Sequence, residues 1–248
     1  MPSAAVLIIG NEVLSGKVVD ENTPFLARRC RELGVDLRRV HVVPDDVPAI
    51  AEAVRALLPL VDWVFSAGGV GPTHDDVTME GVAAGLGVAV VEDARLAGIL
   101  RERLGARFTP AALRMAEVPA GSVLWWDADM AFPQVVAGRV VVFPGVPSLL
   151  RRKFDAVCHR FAGVPVRTAR LRTTADEHAI ADRLRAAQLA WPAVDIGSYP
   201  QFDTRPWTVT LTLDSRDLPA LAACRAQLLE ALAPEVEALD DGGGGPAA

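Results

Sequence analysis

The stretch Val61-Asp-Trp-Val-Phe-Ser-Ala-Gly-Gly-Val-Gly-Pro-Thr-His-Asp-Asp-Val-Thr78 passes from a short apolar run to a loop of glycines, hydroxyls and carboxylates. Residues 61–65 have the length and composition of a buried strand, and Thr78 begins a helical pattern. The loop therefore lies where a strand gives way to a helix. Because open α/β sheets bind ligands at the carboxyl ends of their strands, we expect a binding site here.

The glycines of this loop favour an anionic ligand. A glycine has no Cβ, so its backbone takes up positive φ and comes close to a bound group. Successive amides in such a turn form an anion-binding concavity, and the N-terminus of the following helix adds partial positive charge. The predicted phosphate-binding residues of the loop are Gly68, Gly69, Gly71, Pro72, Thr73 and Thr78.

Asp75 and Asp76 fit an anion site only if a cation is added. A divalent metal with oxygen ligands bridges carboxylate and phosphate, so these two residues are the candidate metal ligands. Taken singly, Gly-Pro-Thr is ordinary turn sequence and an Asp before a helix is an ordinary N-cap; the combination favours a diphosphate with a metal. The loop lacks the Gly-Lys-Ser/Thr of a Walker motif and the spacing of a dinucleotide fingerprint.

Composition excludes several classes of protein. The 248 residues carry a net charge of −6, which argues against nucleic acid as a partner, since that affinity comes from basic residues on phosphates. The three cysteines form neither a zinc pattern nor a disulfide framework. No apolar stretch reaches the roughly 20 residues that span a bilayer, and the N-terminus lacks the basic region of a signal peptide. We expect no membrane association and a cytoplasmic protein.

Residues 1–163 alternate strands and helices with short connections, which predicts an α/β domain with a doubly wound, mostly parallel sheet. Strands are expected at 4–9, 35–43, 61–65 and 88–91, with a hairpin at 135–143 around Gly138. The segment 94–118 is expected to be mostly helical and 123–133 irregular. Thr23 and Ser148 are the predicted N-caps of two helices.

Residues 164–239 predict a second, smaller α+β domain. Strands at 166–173, 194–198 and 207–213 alternate with helices, one opened by a capping box from Thr174 to Glu177, in an order that resembles a split β-α-β sandwich. The glycine-rich segment 240–248 has the composition of a flexible tail.

Three runs carry a resemblance to a known family: Ile9-Gly-Asn-Glu-Val-Leu-Ser-Gly16 with Asp20-Glu-Asn22, the loop 67–78, and Phe143-Pro-Gly-Val-Pro147. They resemble the molybdopterin-binding domain family. This family includes molybdopterin adenylyltransferases, the N-terminal region of competence/damage-inducible protein A, and the N-terminal domain of eukaryotic FAD synthase. The resemblance is strongest to the last and covers almost the whole chain. Further matching segments are 42–47, 149–152, 175–177, 197–200 and 211–215.

The resemblance implies roles for residues outside the glycine loop. Asp45 and Asp76 match two aspartates needed for activity in the adenylyltransferase branch, although the local sequence makes Asp45 an N-cap. Glu12 is either a general base or supporting group, or a helix cap. The implied ligand-binding residues beyond the loop are Gly10, Glu12, Asn22, Pro144 and Gly145. Oligomers are common in the family, so a homo-oligomer, dimer or trimer, is expected.

The leading functional expectation is a metal-dependent pyrophosphatase that cleaves FAD or ADP-ribose, because the resemblance implies this chemistry. It would use Mg²⁺ or Co²⁺, with K⁺ as a further candidate, and a nucleotide or pterin as ligand. The FAD-forming and amidohydrolase domains of longer relatives are not expected after Leu239. Two alternatives stay open: a molybdopterin-binding or adenylyl-transfer protein of molybdenum cofactor biosynthesis, and a non-catalytic ligand-binding module.

Overall fold

A computed structural model describes residues 1–127, 130–201 and 207–239. The chain divides into two compact units, Met1–Val164 and Pro165–Ala248. The strands of the first unit are β1 Ser3–Ile9, β2 Asp36–Val43, β3 Trp63–Ala67, β4 Val90–Glu92, β5 Glu117–Pro119, β6 Val123–Trp125, β7 Gln134–Ala137 and β8 Val140–Phe143. Its helices are α1 Asn11–Leu14, α2 Asn22–Glu32, α3 Val47–Leu57, α4 Thr78–Leu86, α5 Ala94–Leu104 and α6 Pro147–Val157.

The main sheet has the strand order β2-β1-β3-β8-β7-β6. The first four strands are parallel, while β7 pairs antiparallel with both β8 and β6. This confirms the predicted α/β fold with a mostly parallel sheet. Every residue of β1 is buried, as its continuous apolar sequence predicts for a central strand covered on both faces. The carboxyl ends of four adjacent strands therefore meet at one edge of the sheet.

Two apolar layers cover the sheet. On one face, Phe65 and Phe143 pack with Phe154 of α6. On the other face, Ile50 and Val54 of α3 belong to a buried cluster that also contains residues of α4. Alternate residues of each strand enter opposite layers, so the helices on both sides fix the positions of the strand ends.

The region between β4 and β7 differs from the sequence prediction. Helix α5 ends at Leu104 because Gly105 takes φ +49°, and two 3-10 turns then replace the expected helix. Residues 117–119 pair with β4, and residues 123–125, expected to be irregular, form β6. Such pairing depends on partners distant in the sequence, which local periodicity does not reveal.

The predicted N-caps were wrong. Helix α2 begins at Asn22, so Thr23 lies inside its first turn. Helix α6 has Val146 as its N-cap and Pro147 as its first residue, which places Ser148 inside the helix. Pro147 has the fixed φ of a first helical residue and needs no hydrogen-bond acceptor for an amide.

The second unit contains β9 Arg167–Thr173, α7 Glu177–Ala190, β10 Asp195–Gln201, β11 Thr208–Ser215, α8 Leu218–Ala231 and β12 Val236–Leu239. Its antiparallel sheet has the order β10-β11-β9-β12, the expected split β-α-β arrangement with an unpredicted strand β12. The capping box is absent, since Asp176 is the N-cap of α7 and no side chain caps that helix.

The predicted tail, 240–248, lies outside the described residues. None of the helices in the described ranges combines the length and apolar character that a bilayer span requires.

Candidate phosphate-binding site

The loops after β1, β3 and β8 are in direct backbone contact. The Gly68 amide donates to Phe143 O at 3.3 Å. A methyl group on Gly68 would lie 2.0 Å from Ile9 O, and one on Gly145 would lie 3.2 Å from Gly68 Cα. Only glycine allows this approach, and the positive φ of Gly68, +116°, also requires it. Gly10 joins the same edge, since its amide donates to Val43 O at 3.1 Å.

The tripeptide Gly69-Val70-Gly71 presents backbone donors. Within the part of the chain that the structure describes, none of its three amides donates to a protein acceptor. All three residues are partly exposed, and Gly69 has φ +58°. Helix α4 begins a few residues later without a side-chain cap. Unsatisfied amides beside a helix N-terminus are the arrangement that an anion site requires.

Thr78 anchors the glycine loop through two hydrogen bonds. Its side chain is fully buried. Its hydroxyl donates to Gly68 O at 2.8 Å and its amide to Gly69 O at 3.0 Å. The structure therefore gives Thr78 a role in shaping the loop, in place of the direct ligand contact expected from the sequence.

Asp45 lies between two of the loops. Its Oδ2 accepts a hydrogen bond of 2.8 Å from the Asn11 amide, at the start of α1. Its Oδ1 lies 3.5 Å from the position that a Cβ on Gly69 would occupy. The N-cap of α3 is the neighbouring Asp46, which accepts from the Ala49 amide. The capping role that the local sequence assigns to Asp45 thus belongs to Asp46, and Asp45 faces the glycine loop.

Thr73 organises the two candidate metal ligands. Asp76 Oδ2 accepts from the Thr73 amide at 2.9 Å and from the Thr73 hydroxyl, which also lies 2.7 Å from Asp75 Oδ1. A hydroxyl has one hydrogen and serves one carboxylate at a time. The hydrogen bond from Thr73 lowers the pKa of Asp75. Two neighbouring carboxylate groups are thereby held together on an exposed turn.

The Asp76 carboxylate also packs over Gly71. A methyl group on Gly71 would lie 2.5 Å from Asp76 Oδ2. Asp45 and Asp76 therefore stand beside opposite ends of the Gly69-Val70-Gly71 tripeptide, with the unsatisfied amides between them. Pro72 and His74 are exposed on the same turn, and His74 Nδ1 lies 3.9 Å from Asp75 Oδ1.

Glu12 and Asn22 are placed differently from each other. The Glu12 carboxylate folds over Gly10, where a methyl group would lie 2.6 Å from Glu12 Oε1. Glu12 is exposed, at the edge where the parallel strands end. Asn22 is buried, and its Nδ2 donates to Gly145 O at 2.8 Å. Asn22 thus fixes the wall that contains Gly145 and the partly exposed Pro144, whereas Glu12 borders the site directly.

The described residues contain no group of three or more His, Cys, Asp or Glu side chains that could hold a metal ion. Mg²⁺ is commonly bound by one or two carboxylates together with water and substrate phosphates. The Asp75–Asp76 pair beside the glycine loop fits that donor set, so these residues suit a cation that arrives with a phosphate ligand.

Sequence reasoning missed Arg114. Its guanidinium reaches the acidic turn and donates to Thr73 O at 2.6 Å and to Asp76 O at 3.3 Å. It comes from a 3-10 segment, Pro110–Ala116, in the region that the sequence pattern predicted to be mostly helical. No local motif marks it, because the two segments meet only in the folded chain.

The fold and the site together define an α/β domain with a glycine loop at the carboxyl edge of a mostly parallel sheet. The family model described as "Probable molybdopterin binding domain" matches residues 5–163, and the chain belongs to this family. A second model, "FAD synthase, middle domain", matches residues 165–240.

Individual relatives agree with this assignment. An Archaeoglobus fulgidus protein is 31% identical over 212 residues, which cover 86% of this chain and 90% of that protein. A "Probable FAD synthase" of Caenorhabditis elegans is 31% identical over an alignment 267 positions long, which covers 94% of this chain but only 50% of the relative. The chain thus spans about half the length of that FAD synthase. The crystal structure of CinA, of unknown function, from Thermoplasma acidophilum matches 64% of this chain and 97% of its own, with 33% identity and a TM-score of 0.59.

Proposed function

We propose that this protein hydrolyses the diphosphate bond of a nucleotide, with FAD and ADP-ribose as the candidate substrates. One observation carries the proposal: Asp45 and Asp76 stand beside opposite ends of a tripeptide whose three amides have no acceptor among the residues that the structure describes. Amides in this arrangement suit phosphate oxygens, and the carboxylates suit a cation paired with them.

The protein groups have separable roles in this reaction. The amides of residues 69–71 bind phosphate oxygens and stabilise the charge that develops on them. Asp45 is oriented by the Asn11 amide and Asp76 by Thr73. Glu12, at the edge of the site, is the candidate acceptor for a proton from water. A bound divalent cation, held by Asp75 and Asp76, would supply phosphate polarisation and a more acidic water.

The overall reaction is a simple hydrolysis. The oxygen of a water molecule bonds to one phosphorus, and the bond from that phosphorus to the bridging oxygen breaks. FAD and water then give FMN and AMP, whereas ADP-ribose and water give ribose 5-phosphate and AMP. AMP is therefore a common product that reports cleavage of either substrate.

Product analysis tests the proposal. The purified protein is incubated separately with FAD and ADP-ribose in Mg²⁺ or Co²⁺ with K⁺, beside the Asp76→Asn variant. We expect metal-dependent AMP release that is lost in Asp76→Asn, a substitution that keeps the shape of the side chain. Absence of AMP from both substrates at all metal concentrations would refute hydrolysis of these compounds.

The family match favours a second candidate, binding of a pterin with adenylyl transfer to it. The description of the model covering residues 5–163 supports a pterin ligand. An adenylyltransferase would bind ATP and release diphosphate while forming an adenylylated pterin. Binding of a pterin or nucleotide with no product of either kind would instead favour a non-catalytic binding module.

Self-association belongs to the same proposal, because oligomers are expected from the family resemblance. We propose a homo-oligomer, either a dimer or a trimer. Light scattering coupled to gel filtration measures the mass directly, and a monomeric mass of 26.4 kDa would rule it out.

A further inference from the structure

Arg114 connects the acidic turn to a separate part of the first unit. It lies on the 3-10 segment between α5 and β5, where Ala112 and Ala116 are buried. Along the sequence, Arg114 follows Asp76 by 38 residues and Thr73 by 41. The contact is therefore a tertiary one, and it brings a guanidinium to the turn that carries Asp75 and Asp76.

We infer that Arg114 is a positioning residue that fixes the acidic turn, residues 73–76, in the shape needed to bind a divalent cation together with a phosphate. This inference rests on the proposed function for its activity readout, although its binding readout does not.

The hydrogen bonds of Arg114 span the turn. One terminal nitrogen donates to Thr73 O at 2.6 Å, and the other donates to Asp76 O at 3.3 Å and to Glu80 Oε1 at 3.3 Å. The guanidinium thus holds both ends of the turn and ties it to the first turn of α4. Arginine suits this task because its donors form a rigid planar fork, which the single ammonium group of lysine does not provide.

Within the described parts of the chain, Arg114 is the one side chain from outside the loop that hydrogen-bonds to residues 73–76. Among the described residues, the other hydrogen bonds of the turn are internal and join Thr73 to Asp75 and Asp76. Such a local network closes the turn without orienting it against the rest of the domain. Arg114 provides that orientation, because its own segment is fixed by buried alanines.

The charge of Arg114 has a second effect on the same turn. Asp75, Asp76 and Glu80 place three acidic side chains within six residues of sequence. The guanidinium forms an ion pair with Glu80 at 3.3 Å, and it neutralises part of this local negative charge. The hydrogen bonds of Arg114 go to two backbone oxygens and to Glu80, so the guanidinium leaves the Asp75 and Asp76 carboxylates for a cation.

Three variants test the assignment. Arg114→Met removes the donors and the charge but keeps much of the side-chain volume, whereas Arg114→Lys keeps the charge without the fork. Arg107→Met is the matched control, because Arg107 is exposed on a neighbouring 3-10 turn. AMP release is measured over a range of Mg²⁺ concentrations and, separately, over a range of substrate at saturating Mg²⁺.

The two titrations separate positioning from other roles. We expect Arg114→Met to raise the Mg²⁺ concentration for half-maximal rate by about tenfold, as for a lost charge-assisted hydrogen bond, with substrate KM changed less than about twofold. Arg114→Lys should recover part of this loss, and Arg107→Met should match the wild type. A raised substrate KM with unchanged Mg²⁺ dependence would overturn the inference and place Arg114 on the substrate.

Binding of Mn²⁺, followed by electron paramagnetic resonance, needs no turnover. Arg114→Met should weaken Mn²⁺ binding by about tenfold, and hydrogen exchange at the Asp76 amide should accelerate. If the wild type binds Mn²⁺ but releases no AMP, the proposed function fails while the role of Arg114 is still decided. Unchanged Mn²⁺ affinity in both Arg114 variants would overturn the inference, and Arg114→Lys remains informative if Arg114→Met does not fold.

Discussion

Substitution of Gly71 by alanine should impair the candidate site and leave the stability of the fold almost unchanged. The added methyl group would lie 2.5 Å from Asp76 Oδ2 and 3.1 Å from Asp76 Cγ. Ordinary contact between such atoms is about 3.5 Å, so the carboxylate must move by about 1 Å. A displacement of this size in a group that orients a reaction lowers the rate by about 10²-fold. We expect that loss in the AMP-release rate of Gly71→Ala.

The same substitution should hardly affect folding. The backbone of Gly71 lies outside the left-handed region. The atoms that obstruct the methyl group belong to the Asp76 carboxylate, which can move aside because the turn is partly exposed. Weakening of the Thr73–Asp76 hydrogen bond costs about 0.5–1.5 kcal/mol, while the smaller entropy of the unfolded chain returns about 0.4–1 kcal/mol. The free energy of unfolding should therefore change by less than about 1 kcal/mol.

Gly98→Ala provides the control. Gly98 lies inside α5, and a methyl group there meets nothing within 4 Å. This variant should gain about 0.5–1 kcal/mol of stability and keep the wild-type rate. Urea denaturation and the AMP assay are run on both variants. A wild-type rate in Gly71→Ala, or a loss of several kcal/mol in its stability, would refute the view that Gly71 exists to seat the Asp76 carboxylate.

Three further predictions concern stability and reactivity. Thr78→Val leaves the buried Gly68 carbonyl without its 2.8 Å hydrogen bond, so urea denaturation should show a loss of about 1–3 kcal/mol; an unchanged midpoint would contradict the loop-holding role. Burial lowers the pKa of Lys153 to about 8. Between pH 8 and the ordinary lysine pKa of about 10.5, the unfolded chain then binds more protons than the folded chain. The wild type should therefore gain stability relative to Lys153→Met as pH rises through this range. A difference in the free energy of unfolding that does not change with pH would refute the lowered pKa. Of the three cysteines, Cys158 is partly exposed and the other two are buried with raised pKa values, so a thiol reagent should label only Cys158 in the native protein, as peptide mass spectrometry would show.

Much of the first unit was predictable from the sequence, above all its central strand β1, because residues 4–9 form an unbroken apolar run. Strands β1 and β2 agree with the predicted segments within one residue, and helix α4 begins at Thr78 as predicted. Strand β1 is buried along its whole length and α4 buries Gly81, Val82 and Ala83, so local pattern and tertiary environment favour the same structure there. Strand β2 mixes apolar and charged residues and is only partly buried. The position of the glycine loop followed from the same pattern, since it directly succeeds a buried strand.

The sequence did not predict elements that depend on distant pairing. Residues 117–119 pair with β4 and residues 123–125 with β7. Each segment is only three residues long, too short for its own pattern to indicate a strand. The predicted caps were also misplaced by two residues each: the N-caps of α2 and α6 are Glu21 and Val146, and neither side chain accepts a capping hydrogen bond. In α2 the amides of Asn22 and Thr23 donate to the Asp20 carboxylate, one residue before the N-cap, at 2.9 and 3.0 Å. In α6 the first residue is Pro147, which has no amide hydrogen to be capped.

Within the candidate site, residue type predicted the participants better than their tasks. Thr78 and Asn22 were both expected at the ligand, yet both are buried and hydrogen-bond to the glycine loops. Arg114 was not predicted, because nothing near it in the sequence marks a contact with residues 73–76. Roles that arise from long-range hydrogen bonds are visible only in the folded structure.

The most direct test of the account is a crystal structure of Asp76→Asn with ADP-ribose and Mg²⁺, since the slowed variant should retain its substrate. We predict that the diphosphate lies against the amides of Gly69, Val70 and Gly71, between Asp45 and the substituted side chain. A diphosphate bound elsewhere on the protein, with this tripeptide free of phosphate, would contradict the central claim that the loop after β3 is the phosphate-binding site.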